Sequence, residues 1–245
     1  MKIDLTPFDA VLFDMDGVLT RTAVVHAAAW KRLFDEYLQA WAAREHRPFV
    51  PFDIQSDYRL YVDGKLRYDG VKSFLESRGI ILPYGDLQDG PDRETIYGLG
   101  NKKDGYFQAR IKEQGVEVYD DALHFLQAVR AHGLRTAVVS ASKHTAAVLQ
   151  SIGLTDNFEV RIDGIESERL QLKGKPAPDG FLEAARRLGV EPPRAIVVED
   201  AVAGVQAGRN GGFGLVIGVD RTGHAGELRR QGATLVTSDM AELAA

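Results

Sequence analysis

Two acidic pairs carry the first chemical signal in this chain: Asp14 and Asp16, two apart and followed by Gly17, and the adjacent Glu199-Asp200. Carboxylates at i and i+2 converge on one centre only if the chain turns there, and Gly17 permits such a turn. Each pair alone also has a plainer reading. Asp16-Gly17 can be a tight turn with Asp14 as a helix cap, and Glu199-Asp200 can cap a helix starting near Ala201. Brought to one place, the four carboxylates repel unless a cation sits among them. An oxygen-only ligand set, Asp14, Asp16, Glu199 and Asp200, selects a hard ion such as Mg²⁺. Ser140 and Lys175 add a hydroxyl and a fixed positive charge, and with the backbone N–H groups after Ser140 they can hold phosphate oxygens. An aspartate attacking phosphorus forms an acyl-phosphate, a recognised form of covalent catalysis. Taken singly, Ser140 reads as a strand-end turn and Lys175 as a solvated lysine; the four clusters together point to phosphoryl transfer.

The elements that must position these residues follow from apolar runs. Phe8–Phe13, Arg135–Val139, Ala195–Val198, Gly214–Ile217 and Thr234–Val236 are short and rich in Val, Ile and Leu, as strands buried on both faces should be. Helical patterns precede each of the last four, at Asp121–His132, Asp179–Leu188, Ala201–Arg209 and Gly226–Gln231, with Gly133 and Gly189 at stop positions. The alternation predicts an α/β fold, a doubly wound parallel sheet with helices on both faces. In such sheets ligands bind beyond the carboxyl ends of the strands near the switch point, so the residues just after each run, Asp14, Ser140 and Glu199-Asp200 among them, matter most.

Between the first and second strands no comparable run occurs. Thr22–Arg44 reads as a long amphipathic helix with Trp30, Leu33, Phe34, Tyr37, Leu38 and Trp41 on one face, and shorter helical pieces follow at Val71–Arg78 and Arg93–Ile111. The expectation is a catalytic core of residues 1–21 and 114–245 and an inserted α-helical cap domain of residues 22–113.

Composition narrows the function classes. Of 245 residues, 44% are hydrophobic and 27% charged, which excludes a disordered chain or a fibre. No apolar run approaches the roughly 18 residues of a membrane span, and MKIDLTPFDA lacks a basic region followed by an apolar stretch. The absence of cysteine removes disulfides and thiolate chemistry and fits a cytoplasmic protein. A net charge of −5 argues against nucleic acid or an anionic membrane as partner. Positive charge for an anionic substrate must therefore be local, and a monomer is expected.

FDMDGV, VVSAS, GKPAPD and VVEDAVAGVQAG, in that order at these strand ends, resemble the four motifs of the haloacid dehalogenase superfamily of phosphotransferases. FDMDGVLTRTAVVHAAAW and the Ser140–Lys143 run are most similar to its β-phosphoglucomutase-like subfamily. The resemblance implies Asp14 as nucleophile, Asp16 as general acid/base, and Ser140 and Lys175 as phosphate ligands. It implies Mg²⁺ held by Asp14, the backbone carbonyl of Asp16, and Asp200, with Glu199 a further carboxylate contact. In the cap, Asp63–Gly70 resembles the subfamily's specificity loop, with Arg67 as the arginine for the distal phosphate. Asn101–Tyr106 resembles the segment with a second substrate lysine, matched by Lys102. His26 resembles a hinge-side histidine that assists the acid/base, although packing alone also explains a histidine there. Ser142 and Lys143 complete the implied substrate contacts.

The implied reaction interconverts β-glucose 1-phosphate and glucose 6-phosphate through glucose 1,6-bisphosphate. A hydrolase acting on a sugar phosphate would use the same core motifs with water as acceptor. A non-catalytic sugar-phosphate sensor would be expected to lack Asp14 or Asp16, and both are present.

Overall fold

The apolar runs pair side by side into one sheet. Its strands are β1 (Ala10–Phe13), β2 (Arg135–Val139), β3 (Val160–Ile162), β4 (Ala195–Glu199), β5 (Leu215–Val219) and β6 (Leu235–Thr237). They lie in the order β3-β2-β1-β4-β5-β6, and each neighbouring pair is parallel. The structure is a computed structural model that describes residues 2–244. The order reverses between β1 and β4, and Leu12 lies level with Ala137 on one side and Val197 on the other. β1 and β4 are buried along their whole length, so they need apolar residues at every position.

Alternate residues feed two cores. Val11, Phe13, Val138, Ile196 and Val198 pack with Phe125, Leu126 and Val129 of α4 (Asp120–Ala131). Ala10, Leu12, Val139 and Val197 pack with Phe181, Ala184 and Leu188 of α7 (Asp179–Leu188) and Val205 of α8 (Val202–Asn210). α5 (Thr145–Ser151), α6 (Gly164–Arg169), α9 (Ala225–Gln231) and α10 (Ala241–Ala244) complete the helices that follow α4.

The sequence did not announce β3, α5 or α6. β3 is an edge strand of three residues in which only Ile162 is fully buried and Arg161 is exposed, so it carries no apolar run. α5 and α6 are too short, at seven and six residues, to show a helical period.

Chain contacts divide the molecule into two units. One comprises the residues up to Arg21, Gly64–Leu66 and everything from Val116 on; the other comprises Thr22–Asp63 and Arg67–Gly115. The second unit holds α1 (Thr22–Arg44), α2 (Arg67–Ser77) and α3 (Ile96–Gln114), with one π-helical turn at Tyr58–Val62. Its core is aromatic: the Phe34 ring lies 4.1 Å from Phe74, 5.1 Å from Phe52 and 5.2 Å from Trp30. Phe52 comes from the long segment after α1. Its N–H donates to Asp35 Oδ1 at 2.8 Å and its carbonyl accepts from Lys31 Nζ at 2.9 Å. The segment thus returns to α1 and seals the unit with a ring whose truncation should cost about 3–5 kcal/mol. Among the described residues no helix is long and apolar enough to cross a membrane.

Candidate active site

The site begins where β1 stops. The Asp14 N–H still donates to Val198 O at 2.9 Å, so its carboxyl is fixed by the sheet. Beyond it the chain turns back: Leu19 N and Thr20 N donate to Met15 O at 2.9 and 3.0 Å, and Gly17 N donates to Thr20 O at 2.7 Å. Gly17 has φ +93°, a left-handed conformation that a side chain resists, and a Cβ there would overlap the Asp200 carboxylate.

Three other strand ends or loops converge on this turn. Ser140, after β2, is anchored by its N–H on Ile162 O at 3.0 Å, and its Oγ donates to Asp16 Oδ2 at 3.1 Å. Ser142 N donates in turn to Ser140 Oγ at 3.1 Å. Glu199 closes β4 with no exposure; its Oε2 accepts from Ala201 N at 3.0 Å, and a Cβ on Gly204 of α8 would collide with its carboxylate. Lys175, from the loop before α7, donates to Asp14 Oδ1 and to Val139 O at 3.3 Å, and its Nζ lies 2.5 Å from Glu199 Oε1. A cleft lined by Ser140, Lys173, Lys175, Leu66 and Phe181 opens beside them.

Asp14, Glu199 and Asp200 each offer an oxygen within 4.8 Å of the others. Burial pushes the Asp14 carboxyl well above the usual carboxylate range, against the pull of Lys175, and the charges of Glu199 and Asp16 add to that rise. Burial alone would lower the Lys175 ammonium, but Asp14 and Glu199 outweigh it and hold its pKa above the ordinary lysine value. One ammonium thus faces a surplus of carboxylates. The oxygen donors, their spacing and the side-chain-free cradles at Gly17 and Gly204 fit a hard divalent cation, which would meet the charge the lysine leaves over.

The remaining predicted residues are not all gathered here. The Lys143 ammonium pairs with Glu168 at 2.5 Å. Ser142 Oγ accepts from His144 N at 3.2 Å. In the helical unit, Arg67 pairs with Asp104 at 2.5 Å and Lys102 with Glu36 at 3.1 Å. His26 stacks on Phe107 with ring centroids 4.0 Å apart, and its Nδ1 lies 2.6 Å from Lys103 Nζ.

Lys103 is a residue that sequence reasoning passed over. It is only 3% exposed and its ammonium lies over Trp30 at 4.9 Å. The Lys102-Lys103 doublet hid it, but Phe107 four residues on, together with Trp30 and His26 four apart on α1, could have marked it as inward-facing. Arg221 was also missed. It follows β5 and forks onto Asp121 at 2.9 and 3.1 Å.

The sequence pattern of the haloacid dehalogenase-like hydrolase family matches residues 8–212. The chain is 50% identical to a β-phosphoglucomutase of Mycobacterium bovis over 96% of its own length and 90% of the relative's. It is 27% identical to a fructose-1-phosphate phosphatase of Escherichia coli over 85% of its length and 95% of that protein. The crystal structure of a β-phosphoglucomutase from Clostridium difficile superposes with a TM-score of 0.73 at 25% identity, covering 96% of this chain and 93% of the other.

Proposed function

The chain belongs to the haloacid dehalogenase-like hydrolase family, and from that premise we propose that it is a β-phosphoglucomutase-type enzyme acting on a hexose phosphate. The observation that carries the reading is the 50% identity to a β-phosphoglucomutase across nearly the whole chain. The site supplies the parts such chemistry needs, with a carboxylate nucleophile, an acid/base two residues on, and a lysine and serine for phosphate oxygens.

The Asp14 carboxylate attacks phosphorus. The Asp14 oxygen–phosphorus bond forms as the bond from phosphorus to the sugar oxygen breaks, and Asp16 gives that oxygen its proton. Ser140, which donates to Asp16 at 3.1 Å, keeps the acid turned toward the reacting group and offers its own oxygen nearby. Lys175 holds the phosphoryl oxygens and pulls the Asp14 carboxyl toward its ionised form, opposing the larger upward push of burial. In the return step a different sugar hydroxyl loses its proton to Asp16, attacks the phosphoryl group and frees Asp14. Mg²⁺, held by Asp14, the backbone carbonyl of Asp16, and Asp200, with Glu199 in support, would supply the Lewis-acid charge that draws electrons from the phosphoryl oxygens.

A mutase must also keep a doubly phosphorylated sugar. We assign its far phosphate to Arg67 and Lys102, the cations the resemblance implies for that role. Glucose 1-phosphate, glucose 6-phosphate and the 1,6-bisphosphate are the small-molecule partners under this reading.

The test is incubation with Mg²⁺, β-glucose 1-phosphate and a trace of glucose 1,6-bisphosphate. Glucose 6-phosphate forming without free phosphate is the expected result. Release of one phosphate per substrate consumed would replace the mutase by a sugar-phosphate phosphatase, the activity borne by the more distant relative from Escherichia coli.

A further inference from the structure

Arg221 sits in the loop after β5 and is not an extension of any motif that carries the chemistry. Its guanidinium is nonetheless nearly buried, with 13% of the side chain exposed, and makes five hydrogen bonds. Nη1 and Nη2 fork onto the two oxygens of Asp121 at 2.9 and 3.1 Å. Nη1 also reaches Ser238 O at 3.3 Å. The remaining donors turn to the loop that follows the acidic pair: Nε to Gly17 O at 3.3 Å and Nη2 to Val18 O at 3.5 Å. The plane lies over the Tyr119 ring, 3.8 Å from its centroid. Asp121 is itself fixed, since it stands in the first turn of α4 and its Oδ2 accepts from Met240 N at 2.9 Å.

We propose that Arg221, clamped by Asp121, is a positioning residue that sets the reach of Asp16 by gripping the Gly17 and Val18 carbonyls. Asp14 needs no such help, because the sheet bond to Val198 O holds it. Asp16 has left the strand; the turn after it is tied by Gly17 N to Thr20 O, and the carbonyl of Gly17, at φ +93°, faces the guanidinium. The two carbonyl bonds are long and individually weak, but a planar fork anchored on a carboxylate fixes both directions at once. A lysine, with its donors on one atom, keeps the charge and loses the fork. A misplacement of about 1 Å at a proton donor is enough to slow catalysis by about 10²-fold.

The inference rests on the reading of Asp16 as the acid for the sugar oxygen, and the experiment separates the two. Rates of leaving-group release are measured in single turnovers with β-glucose 1,6-bisphosphate, whose sugar oxygen needs a proton, and with 2,4-dinitrophenyl phosphate, whose phenolate does not. Asp16→Asn should lose most of its rate on the sugar and little on the aryl ester. Arg221→Lys should lose about 10- to 100-fold in maximal single-turnover rate on the sugar, with the half-saturating concentration within about threefold and the aryl rate within about threefold. Asp121→Asn, which keeps a partner for the guanidinium but removes its charge, should shift the same way by a smaller factor, and it serves if Arg221→Lys does not fold. An Asp16→Asn enzyme equally impaired on both substrates would overturn the role of Asp16 and the positioning claim with it. The expected Asp16→Asn pattern with equal losses, or none, in the Arg221 and Asp121 variants would overturn the positioning claim alone.

Discussion

In the sheet unit Asp14, Ser140 and Glu199 are placed by strand ends, with Lys175 and Arg221 leaning on carboxylates; in the helical unit the cations are placed by side-chain partners. Asp14 and Ser140 each hang from a strand-end hydrogen bond, and Glu199 is the last residue of β4. Arg67, Lys102 and Lys103 instead owe their positions to Asp104, Glu36 and His26. Asp104 stands on the same helix as the two lysines, whereas Glu36 and His26 belong to α1. The difference has a chemical logic. A group that must meet phosphorus within a fraction of an ångström belongs on a rigid frame. A group that grips the variable part of a substrate can be held by partners it can exchange for a ligand's phosphate.

Substitution of one lysine in each unit sharpens that contrast. Lys175→Met should lower turnover of every phosphate ester by about 10²–10³-fold, because it removes a charge present at the reacting phosphoryl group whatever the leaving group. Lys102→Met should lower turnover of hexose phosphates by about 10–100-fold while leaving an aryl phosphate within about threefold, since the smaller substrate offers no far phosphate. Parallel steady-state assays on the two substrates decide the matter. A Lys102 variant impaired equally on both would remove the division of labour.

A smaller effect concerns acid stability of the helical unit. Burial pushes Glu36 up, but hydrogen bonds from Tyr106, Arg32 and Lys102 more than reverse this and bring its pKa from 4.5 to about 2. A carboxyl whose folded pKa is depressed stabilises the fold above its unfolded value. That contribution should therefore be full above about pH 4.5 and fade as the pH falls toward about 2. Glu36→Gln should cost less than about 1 kcal/mol at neutral pH, because the Glu36 side chain is 40% exposed. It should also flatten part of the acid-side fall in thermal midpoint, as read by melting curves recorded from neutral pH downward. An unchanged acid limb would mean that the cluster is ornamental to stability.

What was legible in the sequence follows the same contrast. β1, β2 and β4 are buried on both faces, so their composition marks them, and the polar residues at their carboxyl ends, Asp14, Ser140 and Glu199, come out at the same end of the sheet. The amphipathic period likewise marks α1 at its observed bounds, Thr22–Arg44. β3 was not legible, because an edge strand with one fully buried residue has no pattern to show. Lys103 and Arg221 were hidden for another reason. A buried cation looks like a surface cation until its partners are known, and those partners, His26 and Asp121, lie far away in sequence. Tertiary pairing of that kind leaves no local period to read at Arg221, and at Lys103 only the aromatic one turn on, Phe107.

The most direct measurement asks where the phosphoryl group goes. The protein, with Mg²⁺ and glucose 1,6-bisphosphate, is quenched in acid during turnover, digested, and its peptides weighed. One phosphoryl group on Asp14, lost on mild alkaline treatment as an acyl-phosphate and absent from Asp14→Asn, is the expected result. A phosphoryl group on any other residue, or turnover that survives in Asp14→Asn, would contradict an aspartyl-phosphate mechanism at the end of β1.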